Sequence, residues 1–562
     1  MTLGPFGALF SLEVAVHRNK SVSAHNFAMV PRNDVPRSSF LMEKKYMTTF
    51  DASALIPIFV EEVLPGDTFN VQATLFARLS TPILPIMDNL ILESFFFFVP
   101  NRLTWSNWKK FMGEQDAPGD SISFQIPQTV CPVGGWTIGS IADYMGLPTV
   151  GQVGGANTVT HSCLPMRAYA LIYNAWFRDE NLCAPYGVST GDGPDVPAAW
   201  GNPTPRGKRF DYFTSCLPFV QKGVAVQIPV SGNATVKTSA AELITGGGPY
   251  SPMALRTSGG GVPLTGGFNM RSAGGAGGGM NESTVANATG ANSVIPTNLY
   301  ADLTTGTIGT INQLRQSVAI QQLLERDARG GTRYTEILQS QFGVTPQDAR
   351  LQRPEYLGGG STPVNISEIP QTSATGLTGA TTPLGSLAAK GTLVGHGHGF
   401  TSSFAEHGYV LGIIAVRADL TYQQGLRRHW SRLTRYDFYT PVFANLGEQS
   451  VLNKEIFCDG GANDALVFGY LPRWDEYRFN PSEITGLFRS TAAATIDIWH
   501  LAQKFAAVPT LNTTFIQEAV PLSRVLAVGA AANGKQFILD AFFRIKAARP
   551  LPMYSNPGLD RL

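Results

Sequence analysis

Phe69 to Leu79 reads FNVQATLFARL. Phe69, Val71, Ala73, Leu75, Ala77 and Leu79 alternate with Asn70, Gln72, Thr74, Phe76 and Arg78. Period-two alternation puts one set of side chains on a core face and the other toward solvent, which predicts a half-buried strand. Pro65-Gly66-Asp67 supplies the turn before it. Working outward, Leu90–Val99 is apolar on both faces, as expected of a strand packed between two layers. Near the far end Phe537, Leu539, Ala541, Phe543 and Ile545 again share one strand face. Residues 1–50 show no sustained periodicity and read as an N-terminal arm.

Helical spacing interrupts this pattern in the connections. Trp105, Trp108 and Met112 form a short stripe ended by Gly113. Met166, Tyr169, Tyr173, Trp176 and Phe177 form a second stripe. Ile311–Arg329 predicts a third helix, with Glu325 and Arg329 spaced for an i,i+4 pair. Tyr334, Ile337, Leu338 and Phe342 predict a fourth, before Gly343. Strands at both ends with helices inside long connections imply one β core over 51–562 bearing large insertions, not a string of domains. Pairing of the first and last strands in one core is common in jelly rolls.

Composition narrows the function classes. The chain has 562 residues, 43% hydrophobic and only 15% charged, well under the charge usual for soluble globular chains. Its apolar runs, such as Phe95–Val99 and Val410–Val416, are far too short to span a bilayer. Scarce charge without a membrane span implies surface hidden against partners. Fifty-nine glycines and 37 prolines favour turns and long loops. Forty-two basic against 41 acidic residues leave a formal charge of +1. A protein neutralising a packaged genome alone needs far more cations, since each phosphate contact takes a Lys or Arg. Cys131, Cys163, Cys183, Cys216 and Cys458 lack any Cys-x-x-Cys pairing and read as reduced thiols of a chain matured in a cytoplasm. The first ten residues carry neither a basic n-region nor a cleavage site.

The insertion at about 230–310 stands apart. Gly246–Gly279 holds 13 glycines and only two charged residues, Arg256 and Arg271. It has too few apolar residues to build a core of its own.

Catalytic strings fail on context. Gly187-Val188-Ser189-Thr190-Gly191 matches a nucleophile elbow, which needs a strand before the serine and a helix after it. Asp192-Gly193-Pro194 follows instead. Gly529, Gly534 and Lys535 approach a phosphate-binding loop, but Gln536 replaces the Ser or Thr that would ligate magnesium. Asn533-Gly534 between Arg524–Val528 and Gln536–Ile545 reads better as a hairpin turn. No catalytic residue and no cofactor is assigned. His396, His398 and His407 are the one histidine cluster; they read as structural or surface residues, with zinc the metal they would hold.

Two basic clusters remain, Arg206/Lys208/Arg209 and Arg427/Arg428/Arg432/Arg435, the second with Trp430, Tyr436 and Tyr439 among its arginines. Aromatic rings beside arginines suit unpaired bases. Arginine with Trp and Tyr equally marks subunit contacts. Both readings stay open from sequence.

Longer strings carry a resemblance. EEVLPGDTF from Glu61, TPILPIMDNL from Thr81 and FFFFVPNRLTWSNW from Phe95 are joined by MRAYALIYNAWFRDENL from Met166. GKRFDYFTSCLP follows from Gly207, the long INQLRQSVAIQQLLERDARGGTRYTEIL block from Ile311, and DARLQRPEYLGGGSTPVNI from Asp348. EHGYVLGIIAVRADLTYQQGL from Glu406 and ITGLFRSTAAATIDIWHLAQKF from Ile484 complete the set. Together they resemble the major capsid proteins of the Microviridae, in the gokushovirus branch. Local departures are the first 20 or so residues, the terminal PGLDRL, and Ser53-Ala54 where the family pattern has Gly-Tyr.

The resemblance implies a viral jelly-roll β-barrel with long loop insertions, about sixty copies closing a T=1 shell around circular single-stranded DNA. It implies a virion protein assembled in the host bacterial cytoplasm, without membrane insertion. Its implied partners are itself, the genome, a small basic DNA-binding protein, a minor DNA-delivery protein and a host cell-surface receptor. The Gly-rich insertion falls where the family carries a three-fold protrusion, which makes Tyr250, Arg256, Phe268, Arg271 and Asn281 the candidate host-attachment residues. The alternative is a receptor- or carbohydrate-binding jelly roll that is not a shell subunit.

Overall fold

The structure is a computed structural model. It describes residues 35–121, 123–227, 310–372, 386–527 and 534–554, and the backbone of short strands between 230 and 308. Two large antiparallel sheets hold the strands β1 (Ser38–Phe50), β2 (Ile56–Val63), β3 (Thr68–Leu79), β4 (Leu90–Pro100) and β5 (Glu355–Pro363), then β6 (Asn365–Pro370), β7 (Leu387–Ser403), β8 (Gly408–Ala418) and β9 (Phe537–Arg549). The five-stranded sheet runs β1-β9-β3-β7-β6 and the four-stranded sheet β5-β4-β8-β2. The chain crosses from one sheet to the other at most steps, β4–β5 and β6–β7 being the neighbours that stay within a sheet, and β9 lies between β1 and β3.

The alternation of Phe69–Leu79 holds as expected, with all six odd-numbered residues buried. They meet the even residues of β4, namely Leu90, Leu92, Phe96 and Phe98, in one apolar core shared by both sheets. Phenylalanines clasp across it: Phe59 with Phe543 at 5.0 Å, Phe96 with Phe400 at 5.4 Å. The odd residues of β4 are also covered. Phe97 and Val99 join Leu411 and Ile413 of β8 under the helix α1 (Leu164–Ile172), through Ala168, Tyr169 and Ile172. The four-stranded sheet is thus buried on both faces by its own chain.

Several expectations change. Ser38–Phe50 was assigned to the arm but is β1, paired along its whole length with β9. Its pattern is masked in sequence because Lys44 takes an inward position, with its ammonium over the Phe59 ring at 5.7 Å. The Trp105 stripe is not one helix but two single turns, Asn101–Thr104 and Trp108–Phe111, broken at extended Trp105. The second stripe is α1 running into a wide π turn, Tyr173–Phe177, which swings Trp176 and Phe177 onto Phe97. The helices α2 (Ile311–Arg329) and α3 (Tyr334–Phe342) form where spacing predicted, α2 opened by a Thr310/Gln313 capping box and α3 closed by Gly343 at φ +69°. The Glu325–Arg329 pair is replaced: Arg329 pairs with Glu448, while Glu325 accepts from Gln321 at 2.9 Å. The 524–545 hairpin also fails, because Leu522–Arg524 is a 3-10 turn and β9 pairs with β1 and β3 instead.

Ser53 adopts φ +74°, the left-handed region in which glycine is at ease. Its hydroxyl accepts from the Val520 amide at 3.1 Å, a contact glycine cannot make.

Candidate subunit and nucleic-acid interface

Arg206, Lys208 and Arg209 follow Pro205, which bridges to Ala54, and Gly207 bridges to Gln517. The segment is pinned against the sheets, and its charges turn inward. Glu93, on the odd face of β4, receives Arg206, Arg417 at 2.7 Å and Arg209 at 3.7 Å. Burial works to raise the Glu93 carboxyl, but Arg206 and Arg417 outweigh it and hold the group below its ordinary value. The Arg206 guanidinium also lies over Phe95 at 4.8 Å. Lys208 sits 4.3 Å over the Phe515 ring, and burial pulls its ammonium below the usual lysine value. Buried Glu518 nearby is pushed up to about 7 by desolvation, against Lys208 and Arg417. Arg206, Lys208, Arg209 and Arg417 line a cleft of about 950 Å³ between the four-stranded sheet and α2–α3. The cluster is an internal charge network, and most of its cationic charge is already matched.

The second cluster lies on a run of 3-10 turns, Arg428–Ser431, Arg435–Asp437 and Pro441–Phe443. Arg427 pairs with Glu483 and donates to the Pro481 carbonyl at 2.6 Å. Arg428 pairs with buried Glu455 at 3.0 Å and donates to the Ser450 carbonyl at 2.8 Å. Arg432 reaches Glu476 at 3.5 Å and covers the Tyr477 ring at 4.9 Å. Three of the four arginines thus hold the loop to the rest of the fold, and Arg435 is exposed. What the loop presents outward is apolar: Trp430 is 72% exposed and Leu433 92%, with Tyr436, Phe438 and Val442 beside them in sequence. Sequence reasoning missed Leu433 and Val442, because attention to arginines hid the aliphatic residues between them. α2 adds Ile311, Leu314 and Val318, spaced along one face and exposed.

The histidines are not brought together as ligands. The ladder between β7 and β3 slips between Gly395 and His398, a bulge that leaves His396 exposed and buries His398. Both ring nitrogens of His398 are engaged, Nδ1 with the Ser94 hydroxyl at 2.7 Å and Nε2 with Thr362 at 2.8 Å. Burial lowers its pKa below the ordinary histidine value. His407 packs on the Trp108 ring at 5.7 Å. Among the described residues no three His, Cys, Asp or Glu side chains converge as a metal site.

The catalytic look-alikes sit in loops. Ser189 accepts from the Gly191 amide at 3.2 Å, and no helix follows it. Lys535 is tied to Asp51 at 2.6 Å and leads into β9. The five cysteines form no disulfide, and burial pushes the Cys163 thiol up to about 12. No helix among the described residues is long and apolar enough to cross a membrane.

A buried ion pair went unseen in the sequence. Arg167 of α1 grips Asp195 through Nε at 2.9 Å and Nη2 at 2.6 Å, and donates to the Thr104 and Gly191 carbonyls. Nothing in the spacing of residues 28 apart signals such a pair.

Of the attachment candidates, Arg256 lies on the short strand Leu255–Thr257, opposite Ile295. Tyr250, Phe268, Arg271 and Asn281 fall outside the described residues. Three short ladders nest around this region: Val230–Ser231 with Thr307–Ile308, Thr235–Thr238 with Leu299–Asp302, and Leu255–Thr257 with Val294–Pro296.

Comparison with known proteins gives a consistent answer. A family model described as "Capsid protein (F protein)" matches residues 28–559. The chain is 45% identical over 539 residues to the "Capsid protein VP1" of Bdellovibrio phage phiMH2K, covering 95% of this chain and 97% of that one. It is 41% identical to the "Capsid protein VP1" of Chlamydia phage 1 (96% and 99% covered) and 36% identical to that of Spiroplasma virus 4 (96% and 98%).

Proposed function

Because the chain belongs to the phage capsid (F) protein family, and is therefore a structural coat protein and not an enzyme, we propose that it is a jelly-roll subunit of which about sixty copies close a T=1 shell around circular single-stranded DNA. The strand orders β1-β9-β3-β7 and β2-β8-β4-β5 support the jelly roll, since this interleaving is what two rolled Greek keys produce. A carbohydrate-binding jelly roll outside a shell finds no support in relatives that are themselves coat proteins along nearly their whole length.

The observation that carries most weight for the contact surface is the pairing of Arg427, Arg428 and Arg432 with Glu483, Glu455 and Glu476. Arginines already matched by carboxylates have little charge left for phosphates, while the aromatic and aliphatic residues outside them suit a neighbouring subunit. The 427–446 loop is therefore read as an intersubunit contact. Near-neutral charge favours genome neutralisation by a separate small basic protein, and delivery by a minor protein. Reduced cysteines fit assembly in the host cytoplasm. The nested ladders around the Gly-rich insertion fit a stalk whose tip meets the host receptor.

Electron microscopy of the purified protein tests the reading. Closed shells of uniform size, with nuclease-protected single-stranded DNA in those taken from infected cells, are expected. Only well-folded monomers at high concentration would contradict it.

A further inference from the structure

The two sheets differ in how their outer faces are treated. The four-stranded sheet is roofed by α1 and the Tyr173–Phe177 turn. The outer face of the five-stranded sheet carries exposed Met47, Phe76, Val394, Ile538 and Phe542. Strand register gathers these five into one patch. Met47 lies opposite Asp540, Asp540 opposite Phe76, and Phe76 opposite Val394, forming a row across β1, β9, β3 and β7. Ile538 and Phe542 flank that row on β9, two residues either side of Asp540. Met47 is 65% exposed, Val394 54% and Ile538 52%. An apolar cluster in the middle of a regular sheet, on positions that alternation reserves for polar residues, is not needed by the subunit's own core.

We propose that this face of the five-stranded sheet, centred on Met47, Phe76, Val394, Ile538 and Phe542, is a contact surface for a second copy of the chain in the assembled coat. The charges around the patch choose this occupant. Lys45 pairs with Asp540 at 3.1 Å and Arg544 with Glu43 at 3.8 Å, both across the β1–β9 ladder. A surface for nucleic acid presents free cations. Here the cations next to the patch on β1 and β9, Lys45 and Arg544, are matched by carboxylates, and Arg78 lies opposite Ile538. Apolar side chains beside mixed charge that is already paired suit a neighbouring subunit better than a phosphate backbone. The inference rests on the shell reading, and it assigns to assembly a surface that neither arginine cluster occupies.

The test compares wild-type particles with dissociated wild-type subunits by peroxide oxidation of Met47, followed by peptide mass spectrometry. Oxidation should be slower by about fivefold or more in particles, because an interface centre excludes water. The double variant Ile538→Lys/Phe542→Lys should keep the wild-type melting profile as a subunit and form no closed particles. Equal oxidation of Met47 in particle and subunit overturns the proposal, and so do normal particles from the double variant. Protection already complete in the free subunit also overturns it, since the chain's own residues would then be the cover. If the double variant fails to fold, the wild-type oxidation rates decide alone. A wild-type protein that forms no shells overturns the shell reading and this surface together, whereas shells with freely oxidised Met47 overturn the surface only.

Discussion

The imidazole of His398 on β7 meets the hydroxyl of Ser94 on β4 at 2.7 Å, so a polar contact joins the two sheets within the apolar core. Thr362 of β5 takes the other ring nitrogen, and the Gly360 amide donates to Ser94 at 3.1 Å. A buried polar group is tolerable only when its partners are present, and here each ring nitrogen has one. The contact also fixes relative position: His398 lies just past the bulge that follows Gly395, so a one-residue slip of β7 would take the ring out of reach of both hydroxyls.

Burial lowers the His398 pKa, so the folded subunit binds its proton less readily than the unfolded chain. As pH falls through the unfolded value near 6.5, the unfolded state gains protons that the folded state refuses, and stability drops. Glu518, pushed up to about 7, acts with the opposite sign: the folded state holds its proton longer, so that contribution is lost as pH rises from the unfolded glutamate range to about 7. Comparing variants cancels the second term. Urea denaturation of dissociated subunits at pH 5 and 7.5 should show a smaller acid loss for His398→Gln than for wild type. Identical pH slopes would assign the effect elsewhere.

Glycines make the room for this ring. A Cβ at Gly360 would lie 2.7 Å from His398 Nδ1, and one at Gly395 2.7 Å from Nε2. Both neighbours are packed and hydrogen-bonded, so the ring cannot retreat cheaply. Gly360→Ala should destabilise the subunit by about 1–3 kcal/mol, the usual range for overpacking. Gly119→Ala, where a Cβ meets nothing within 4 Å, serves as the neutral control. Chemical denaturation of both variants checks the contrast.

Arg167 and Asp195 are both buried, and their pair ties α1 to the loop that packs beside Trp105. Arg167→Met leaves the Asp195 carboxylate in a dry site without its partner. The loss should be about 3–5 kcal/mol, as for breaking one side of a buried pair. The double variant Arg167→Met/Asp195→Leu should recover part of it, and thermal melts of the two separate a charge effect from a packing effect.

What the sequence made legible was mostly local. Alternation in Phe69–Leu79, apolar faces on both sides of Leu90–Val99, and spacing in Ile311–Arg329 each state their own burial pattern within a few residues. The arginine clusters were visible too, but their meaning was not. Arg206 finds Glu93 across 113 residues and Arg428 finds Glu455 across 27, and such partners exist only once the fold is closed. Lys44 hid β1 for a related reason: its ammonium lies over the Phe59 ring on the inward side while its charge breaks the written pattern. We read the bare apolar surface on α2 and on the 430–446 loop as subunit contact, a proposal that membership of a coat-protein family favours.

The arginine loop separates holding from docking. Arg428→Gln removes the partner of buried Glu455 and should lower subunit stability by about 2–4 kcal/mol. Leu433→Asp changes a side chain that is 92% exposed and should leave the subunit melt unchanged while particles fail to close. Normal, full particles from Leu433→Asp would remove the loop from the subunit contact. Arg435→Gln alone, losing DNA content but not shells, would restore a nucleic-acid role to its exposed end.

We propose that the Gly-rich insertion serves host attachment and not shell closure, and deletion separates the two. Gly246–Gly279 carries few apolar residues, so its removal forfeits little buried area. The flanking ladders end with Leu255–Thr257 against Val294–Pro296, so a cut of roughly 250–290 trims the tip and leaves the outer ladders to close a shorter loop. Closure entropy changes only with the logarithm of loop length, so shortening costs the folded subunit little. Glycine-rich loops from neighbouring subunits can approach closely around a symmetry axis, because no Cβ keeps their backbones apart. The deletion should therefore give closed particles that no longer adsorb to cells. Particle yield and cell adsorption are measured on the same mutant: absence of shells would make the insertion a clamp between subunits, and wild-type adsorption would move receptor binding to another surface.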